Sequence, residues 1–415
     1  MKVQVKTLGC KVNQYEGQAI KEQFTSLGHT ITGKKADLYI INTCTVTKTA
    51  DKKSRKNILQ AKKENPKAKI AVCGCLAELN KGYIKKTGVD YIITQKNKQN
   101  LINIILGDSS PYPLSKTPWK FKINNYPHKR AFVKIEDGCD NFCSFCKIPY
   151  LRPKPTSRKK EEIIDEIKRL SLNHHEIVLS GVNLNLYGKD LKPKNSLSNL
   201  TEDILNLNCL GRLRISSLQP LLIDNKLISL ISHPKMCPHL HLSFQYGQNS
   251  ILKAMNKKET VELYLERVEA IKKTYPKTAI SCDIIIGFPG ETEKTFQATI
   301  DFLKKVKPMR IHIFTFSPRE KTPFAANNLI DKNTIKKRYV ILNKLAKKFS
   351  FDYARLFLNQ ELTMIAEEKK NRYITGYTQN YIKVNLKDKI KDGSLARVKI
   401  TKIDKNNRVF AQLTT

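Results

Sequence analysis

Asp137-Gly138-Cys139-Asp140-Asn141-Phe142-Cys143-Ser144-Phe145-Cys146-Lys147-Ile148-Pro149-Tyr150 is the stretch on which the reading of this 415-residue chain turns. Its cysteines are spaced CxxxCxxC, with the aromatic Phe145 just before the last. Three thiolates on one loop can hold three irons of a cubane [4Fe–4S] cluster and leave the fourth iron without a protein ligand. An open iron is where a small molecule is activated. S-adenosylmethionine (SAM) suits it, because its amino and carboxylate groups can chelate one iron. The competing reading is a zinc knuckle. Zinc favours paired CxxC arms and a fourth nearby Cys or His. Here His128 lies well before the loop and no second CxxC follows.

Working outward, the loop follows a strand-like run at 131–136, the first of six, the others being 176–180, 212–216, 239–244, 279–286 and 310–316. Helical patterns at 158–172, 200–206, 224–232, 261–274 and 293–306 separate them. A metal loop after the first of six alternating strands predicts an incomplete (β/α) barrel, with active groups at the carboxyl ends of the strands. Ser180-Gly181-Val182-Asn183, then Gln245 and Gly247, then Gly287-Phe288-Pro289-Gly290-Glu291 fall at such ends. Glycines there permit close backbone approach to a ligand, although each alone also reads as a βα turn.

Upstream, strand-like runs at 3–7, 37–41, 69–72 and 90–94 alternate with helical runs at 14–27, 50–65 and 78–86. This predicts a parallel sheet covered by helices. Cys10, Cys44 and Cys75 follow the first three strands by short loops, and such loops gather on one edge of an open sheet. Three cysteines distant in sequence should therefore converge and are candidates for a second metal site, although each alone also reads as an ordinary small buried residue. Strand alternation puts Cys73 at a strand end and Cys75 past the turn-making Gly74, so Cys75 is taken as the ligand and Cys73 as its neighbour. Cys209, Cys237 and Cys282 match no ligand position and read as packing residues.

A polar, proline-containing linker spans 107–126, and the chain is divided as 1–112, 125–354 and 355–415. After a helix at 335–349 come five short alternating segments punctuated by Gly376 and Gly393, which predict a small antiparallel β-barrel. Tyr373, Tyr377, Tyr381, Lys383 and Arg397 are candidates for an oligonucleotide-binding face, with core packing as the alternative for some of the tyrosines.

Hydrophobic content of 40% indicates globular structure. No apolar stretch approaches the roughly 18 residues of a membrane span, and no apolar leader follows Met1, so a soluble, cytoplasmic protein is expected. Ten cysteines in that setting point to metal or redox chemistry before disulfides. The net charge of +38 suits a polyanionic partner, nucleic acid foremost, although compositional drift toward Lys would give the same sign.

Taken together, Leu8-Gly-Cys-Lys-Val-Asn-Gln-Tyr-Glu16, Asn42-Thr-Cys-Thr-Val-Thr47, Gly74-Cys-Leu-Ala-Glu78, the cysteine loop, Cys237-Pro-His-Leu-His-Leu-Ser-Phe-Gln245 and Asp283-Ile-Ile-Ile-Gly-Phe-Pro-Gly-Glu-Thr292 resemble the radical SAM methylthiotransferases along the whole chain. The tail resembles the TRAM domain, an RNA-binding β-barrel. Departures from that pattern are Ser243-Phe-Gln-Tyr-Gly247, Gln219 and Arg152-Pro-Lys-Pro155. The resemblance implies an α/β protein with three parts: a parallel-sheet domain, an incomplete (β/α)6 radical SAM barrel and a TRAM-like barrel. It implies SAM and two [4Fe–4S] clusters, one on Cys139, Cys143 and Cys146 and one on Cys10, Cys44 and Cys75. Phe145, Ser180, Gly181, Asn183 and Gln245 are the implied cofactor-binding residues. The first motif is most similar to the branch that methylthiolates C2 of N6-threonylcarbamoyladenosine (t6A) beside the tRNA anticodon. The sibling acting on isopentenyladenosine usually reads Gln-Met-Asn there, and the one acting on a ribosomal protein aspartate Pro-Lys-Asn. Implied partners are the anticodon stem-loop of tRNA and an electron donor such as a flavodoxin or ferredoxin, with no membrane and no DNA. Rival readings are the two sibling substrates and a non-catalytic iron–sulfur RNA-binding protein.

Overall fold

The computed structural model describes residues 1–115, 119, 121–324 and 329–414. The first five strands are β1 (Lys2–Thr7), β2 (Thr30–Ile31), β3 (Leu38–Thr43), β4 (Lys69–Gly74) and β5 (Tyr91–Ile93). They form one parallel sheet in the order β2-β1-β3-β4-β5. Central β3 is buried along its whole length, as its apolar run from Leu38 to Ile41 requires. β2 escaped the sequence reading because two residues carry no period. Helices α1 (Lys11–Ser26), α2 (Lys48–Glu64) and α3 (Cys75–Leu79) follow β1, β3 and β4. Cys10, Cys44 and Cys75 therefore all stand at the carboxyl edge of the sheet, as expected.

The second unit is built from β6 (Arg130–Lys134), the short pair β7 (Glu136–Asp137) and β8 (Thr156–Ser157), β9 (Glu176–Ser180), β10 (Arg212–Ile215), β11 (Ser217–Leu218), β12 (His239–Gln245), β13 (Ala279–Ile286) and β14 (Arg310–Thr315). Its parallel strands run β10-β9-β6 and β11-β12-β13-β14. The third barrel position is thus split between β10 and β11. Among the described residues no pairing joins β6 to β14, so the barrel is open on that side. On β12–β14 alternation sends Leu240, Leu242, Phe244, Cys282 and Ile284 into the core. His239, His241, Gln245, Asp283, Ile285, Arg310, His312 and Phe314 fall on the opposite, lumen-facing register.

A helix, Lys332–Arg355, leads to β15 (Glu361–Lys370), β16 (Tyr373–Thr378), β17 (Lys383–Leu386), β18 (Leu395–Ile403) and β19 (Val409–Leu413). These close in the order β15-β16-β17-β19-β18. Four neighbouring pairs are antiparallel and β17–β19 is parallel. An odd number of strands cannot close with every neighbour antiparallel, so one parallel pair is a matter of parity.

Three sequence expectations need correction. The second half of the linker is not free: Phe121, Ile123 and Tyr126 are buried. Tyr15 of α1 donates to the Phe121 carbonyl at 3.0 Å and to Glu166 at 2.9 Å, sewing linker and sheet onto the barrel. Tyr377 and Tyr381 do not share an outer face with Tyr373. They stack on each other at 4.7 Å and reach the amino-terminal end of the barrel, where Tyr381 also stacks on His239 at 4.3 Å. Arg130 and Arg310 lie against both rings. Cys237 and Cys282 are buried as expected, but Cys209 is exposed. No helix of the described chain is long and apolar enough to cross a membrane.

Candidate active site

The cysteine loop leaves β7 through Gly138, whose φ is +99° and whose added Cβ would lie 2.3 Å from the Lys154 carbonyl oxygen. Only glycine lets the loop pass so close to the returning strand. The Cys139 amide donates to the Arg152 carbonyl at 3.0 Å, Cys146 to Cys143 at 2.9 Å and Ser144 to Met255 at 3.0 Å. The loop is thus pinned by backbone bonds on both flanks. Burial pushes the Cys143 thiol up to about 11 and Cys146 up to about 12, and raises Cys139. Without metal these groups are thiols, so loading a cluster releases protons.

The second triad is assembled by the sheet. Cys10 caps α1, where the helix dipole favours a negatively charged ligand. Cys75 opens α3 just past Gly74. The φ of Gly74 is +90°, and a Cβ there would meet the Thr43 carbonyl oxygen at 2.4 Å. Gly9 lies against Cys44 with similar tightness. Burial raises Cys44, and pushes Cys75 up to about 12 and Cys73 up to about 11. Cys73 points instead into the core, its sulfur 3.8 Å from Asn42. Cys10, Cys44 and Cys75 feel one another's charge, as do Cys139, Cys143 and Cys146. Cys146 also feels Cys75, and the helix that Cys75 opens packs against the short helix Ile148–Leu151 that follows Cys146, so these two cysteines are neighbours.

The donor sets fit clusters better than single ions. Thiolates around one zinc stand about 3.8 Å apart, given Zn–S bonds of about 2.3 Å. Among the described residues the one trio of metal-type ligand atoms gathered within 4.8 Å is His241, Asp283 and His312; neither cysteine triad closes so tightly. Splayed trios of thiols match the corners of a cubane.

A buried charge network holds the triads in register. Glu16, two turns into α1, accepts from Lys98, from Lys134 at 2.7 Å and from Arg152 at 3.0 Å. Asp137 accepts from Lys134 at 2.6 Å and Arg152 at 2.5 Å. Burial alone would raise both carboxyls, but Arg152 and Lys134 overcome it and hold them below the usual range. Arg152 therefore fixes the cysteine loop through its backbone and α1 through its side chain. Near Cys44, Arg319 donates to Thr45 and, at 2.8 Å, to Asp51.

Beside Cys146 lies a cavity of about 210 Å³ lined by Val46, Thr47, Phe145, Cys146, Lys147, Gln245, Asp283 and residues of β14. Phe145 and Gln245 thus meet there. Gln245 has φ +67° at a register shift in β12. A left-handed non-glycine residue at a cavity wall is strain of the kind functional sites retain. Asn183 donates its side-chain amide toward Cys139 at 3.7 Å and its backbone N–H to Glu136 at 2.6 Å. Gly181 is needed for that approach, since a Cβ there would lie 2.7 Å from Glu136. Ser180 is different: its hydroxyl donates to the Val133 carbonyl at 3.2 Å and is spent on joining strands.

Sequence reasoning missed Glu136, whose carboxyl burial pushes up to about 8 and whose Oε1 has no partner. It also missed Lys11, Glu16, Arg152 and the His241–Asp283–His312 group. Burial would raise Asp283, but hydrogen bonds from His241 and His312 hold it low. The available signal was a charge inside an apolar parallel strand, as Asp283 is in Ala279–Ile286.

Two family models match the chain. One, described as uncharacterized protein family UPF0004, covers residues 2–94, and the radical SAM superfamily covers residues 133–303. Barrel and loop together define a radical SAM protein. The chain is 36% identical over 420 residues to the threonylcarbamoyladenosine tRNA methylthiotransferase MtaB of Bacillus subtilis (strain 168), covering 95% of this chain and 93% of that one. It is 37% identical over 338 residues to the tRNA-2-methylthio-N(6)-dimethylallyladenosine synthase of Carboxydothermus hydrogenoformans, covering 77% of each. A solved radical S-adenosylmethionine methyltransferase, TsrM of Kitasatospora setae, superposes with a TM-score of 0.60 at 13% identity, over 78% of this chain and 76% of that one. That likeness is one of fold. The chain belongs to the radical SAM methylthiotransferases, transferases that use SAM and [4Fe–4S] clusters.

Proposed function

We propose that this chain inserts a methylthio group at C2 of t6A at position 37 of tRNA. The observation that carries the reading is the placement of Cys75 of one triad beside Cys146 of the other, with Cys146 lining the cavity at the mouth of the barrel. The C2–H bond of adenine offers no acidic proton to a general base, so the reaction calls for hydrogen-atom abstraction. Cys139, Cys143 and Cys146 would hold a cluster that would supply the electron for reductive cleavage of SAM, and Cys10, Cys44 and Cys75 would hold one that would supply the sulfur to be inserted. The chain's own residues orient and exclude water. Phe145 and Gln245 wall the pocket, Asn183 stands beside the Cys139 sulfur with Gly181 close by, and Glu16 and Arg152 keep the two loops in register.

The target base has to leave its stack, which costs least in a single-stranded loop. The anticodon stem-loop is the substrate, held largely through phosphates. The C-terminal barrel, 355–415, acts as the TRAM-like RNA-binding unit beside the cluster domain, 1–112, and the radical SAM core, 125–354. Its support is a groove of about 530 Å³ lined by Arg372, Lys387, Lys402 and Arg408 around the paired rings of Tyr373 and Phe410. A flavodoxin or ferredoxin in the cytoplasm serves as electron donor. The MtaB relatives and the Lys11-Val12-Asn13 motif favour t6A, while the dimethylallyladenosine relatives keep that base as the second reading.

The test is expression in a host without methylthiotransferases, followed by mass spectrometry of tRNA nucleosides. Formation of 2-methylthio-t6A, lost with Cys143→Ala or Cys44→Ala, is expected. A 2-methylthio-isopentenyladenosine signal instead moves the protein to the sibling substrate. No new nucleoside from a cluster-replete protein defeats the tRNA reading.

A further inference from the structure

The two kinds of relative differ in the group their names place on N6 of adenosine. Threonylcarbamoyl ends in a carboxylate, whereas dimethylallyl is a hydrocarbon. A site that accepts the first needs a cation in or beside the lumen, and one that accepts the second is better without it. Four basic side chains reach the lumen, apart from Lys147, which lines the cavity beside Cys146 with Arg319 and Asp51 as its charged neighbours. Arg130 pairs with Glu367 and, more distantly, with Glu176. Arg214 pairs with Glu176 at 2.7 Å. Arg310 lies on the rings of Tyr381 at 5.0 Å and Tyr377 at 5.7 Å.

Lys11 is the fourth. It directly follows Cys10 and sits at the first position of α1, so its place is fixed by the residue that belongs to the second triad. Its ammonium lies 6.0 Å from the ring of Phe132, which shares the alternating face of β6 with Arg130 and Lys134. Its charge is felt by Tyr381, Arg130, Cys10 and Asp283, which surround it from three parts of the chain. The residue nevertheless remains solvent-accessible. Among the described residues it makes no ion pair and no side-chain hydrogen bond. Asp283, the nearby carboxylate, is engaged by His241 at 3.1 Å and His312 at 3.4 Å, which leaves Lys11 for an incoming anion.

We propose that Lys11 is the specificity-determining residue of this site and receives the free carboxylate of the threonylcarbamoyl group. The inference rests on the t6A reading above. It explains why a lone cation stands beside the second triad: the base that presents C2 to both triads carries its carboxylate within the same lumen. A charge-assisted hydrogen bond of this kind discriminates roughly 10- to 100-fold against a neutral analogue.

The test uses the cluster-loaded, full-length protein and three anticodon stem-loops that differ only at the target adenosine: threonylcarbamoyl, its carboxamide, and dimethylallyl. Dissociation constants at fixed salt and steady-state kcat and KM are measured for the native chain, Lys11→Met and Lys11→Arg. The native chain is expected to favour carboxylate over carboxamide by roughly 10- to 100-fold in Kd and KM. Lys11→Met should bring that ratio close to one with iron content unchanged, and Lys11→Arg should restore most of it. A ratio that survives Lys11→Met overturns the assignment and leaves the t6A reading standing. A ratio near one in the native chain, with turnover of the threonylcarbamoyl stem-loop, does the same without relying on any variant. Turnover of the dimethylallyl stem-loop alone overturns both.

Discussion

The two cysteine triads proposed to hold clusters are assembled by opposite routes. Cys139, Cys143 and Cys146 sit within eight residues of one another, on a loop that its own backbone bonds and Gly138 hold in shape. Cys10, Cys44 and Cys75 are scattered over 66 residues and meet only because three parallel strands end at one edge. The first site is a property of a segment, the second of a fold. Damage to the fold should therefore cost the second before the first.

The largest effects come from removing a ligand. Cys143→Ala should abolish both reductive SAM cleavage and product, with iron falling by about half. Cys44→Ala should lose a similar share of iron and all product, yet keep SAM cleavage, measured as 5′-deoxyadenosine. Cleavage lost equally in both variants would mean that the triads are not separate sites.

Next is Glu16→Gln, which strips a carboxylate from three buried cations. Breaking such a network typically costs about 3–5 kcal/mol. The melting temperature should drop, and iron should be lost from the dispersed triad first. Equal loss from both would show that the network braces the local loop as strongly as the sheet edge.

These contrasts also explain what was legible in the sequence. The CxxxCxxC loop announced itself by spacing, and the dispersed triad by its position after successive strands. Alternation gave most strands to within a few residues. It could not say which outer face of the C-terminal barrel would be covered, so Tyr377 and Tyr381 were grouped with Tyr373, although only Tyr373 remains beside the basic groove. Lys11 and Glu16 were read as part of a motif, because nothing local tells a helix residue which domain it will face. Ser180 looked like a ligand-binding residue at a strand end, but its hydroxyl is satisfied by the neighbouring strand. Cys209 shows the limit of a packing prior for one cysteine: a turn left it exposed.

A third, smaller effect separates the barrel from its C-terminal neighbour. Burial would raise Glu176, but Arg212, Arg214 and Arg130 hold it down to about 2, from an ordinary value of 4.5. Arg212 and Arg214 in turn donate to the backbone of Thr363, Tyr377 and Thr378, docking the C-terminal barrel. A depressed carboxyl stabilises fully above its unfolded value and loses that contribution as pH falls through the folded one. About 3 kcal/mol should thus disappear between pH 4.5 and pH 2. Melting curves of the native chain and Glu176→Gln should converge over that interval; parallel curves would remove Glu176 from the account. The smallest effect is expected in the groove: Lys402→Ala or Arg408→Ala should weaken stem-loop binding and reduce the salt slope by about one each. A slope unchanged by either variant would move RNA binding elsewhere on the molecule.

The central claim is that each triad holds a cluster and that the two lie close together, with Cys75 beside Cys146. Electron paramagnetic resonance of the fully reduced, cluster-loaded chain tests it most directly. The account predicts signals from two [4Fe–4S] centres broadened by mutual coupling, collapsing to a single uncoupled signal in Cys44→Ala. One uncoupled centre in the native chain, unchanged by Cys44→Ala, would contradict it.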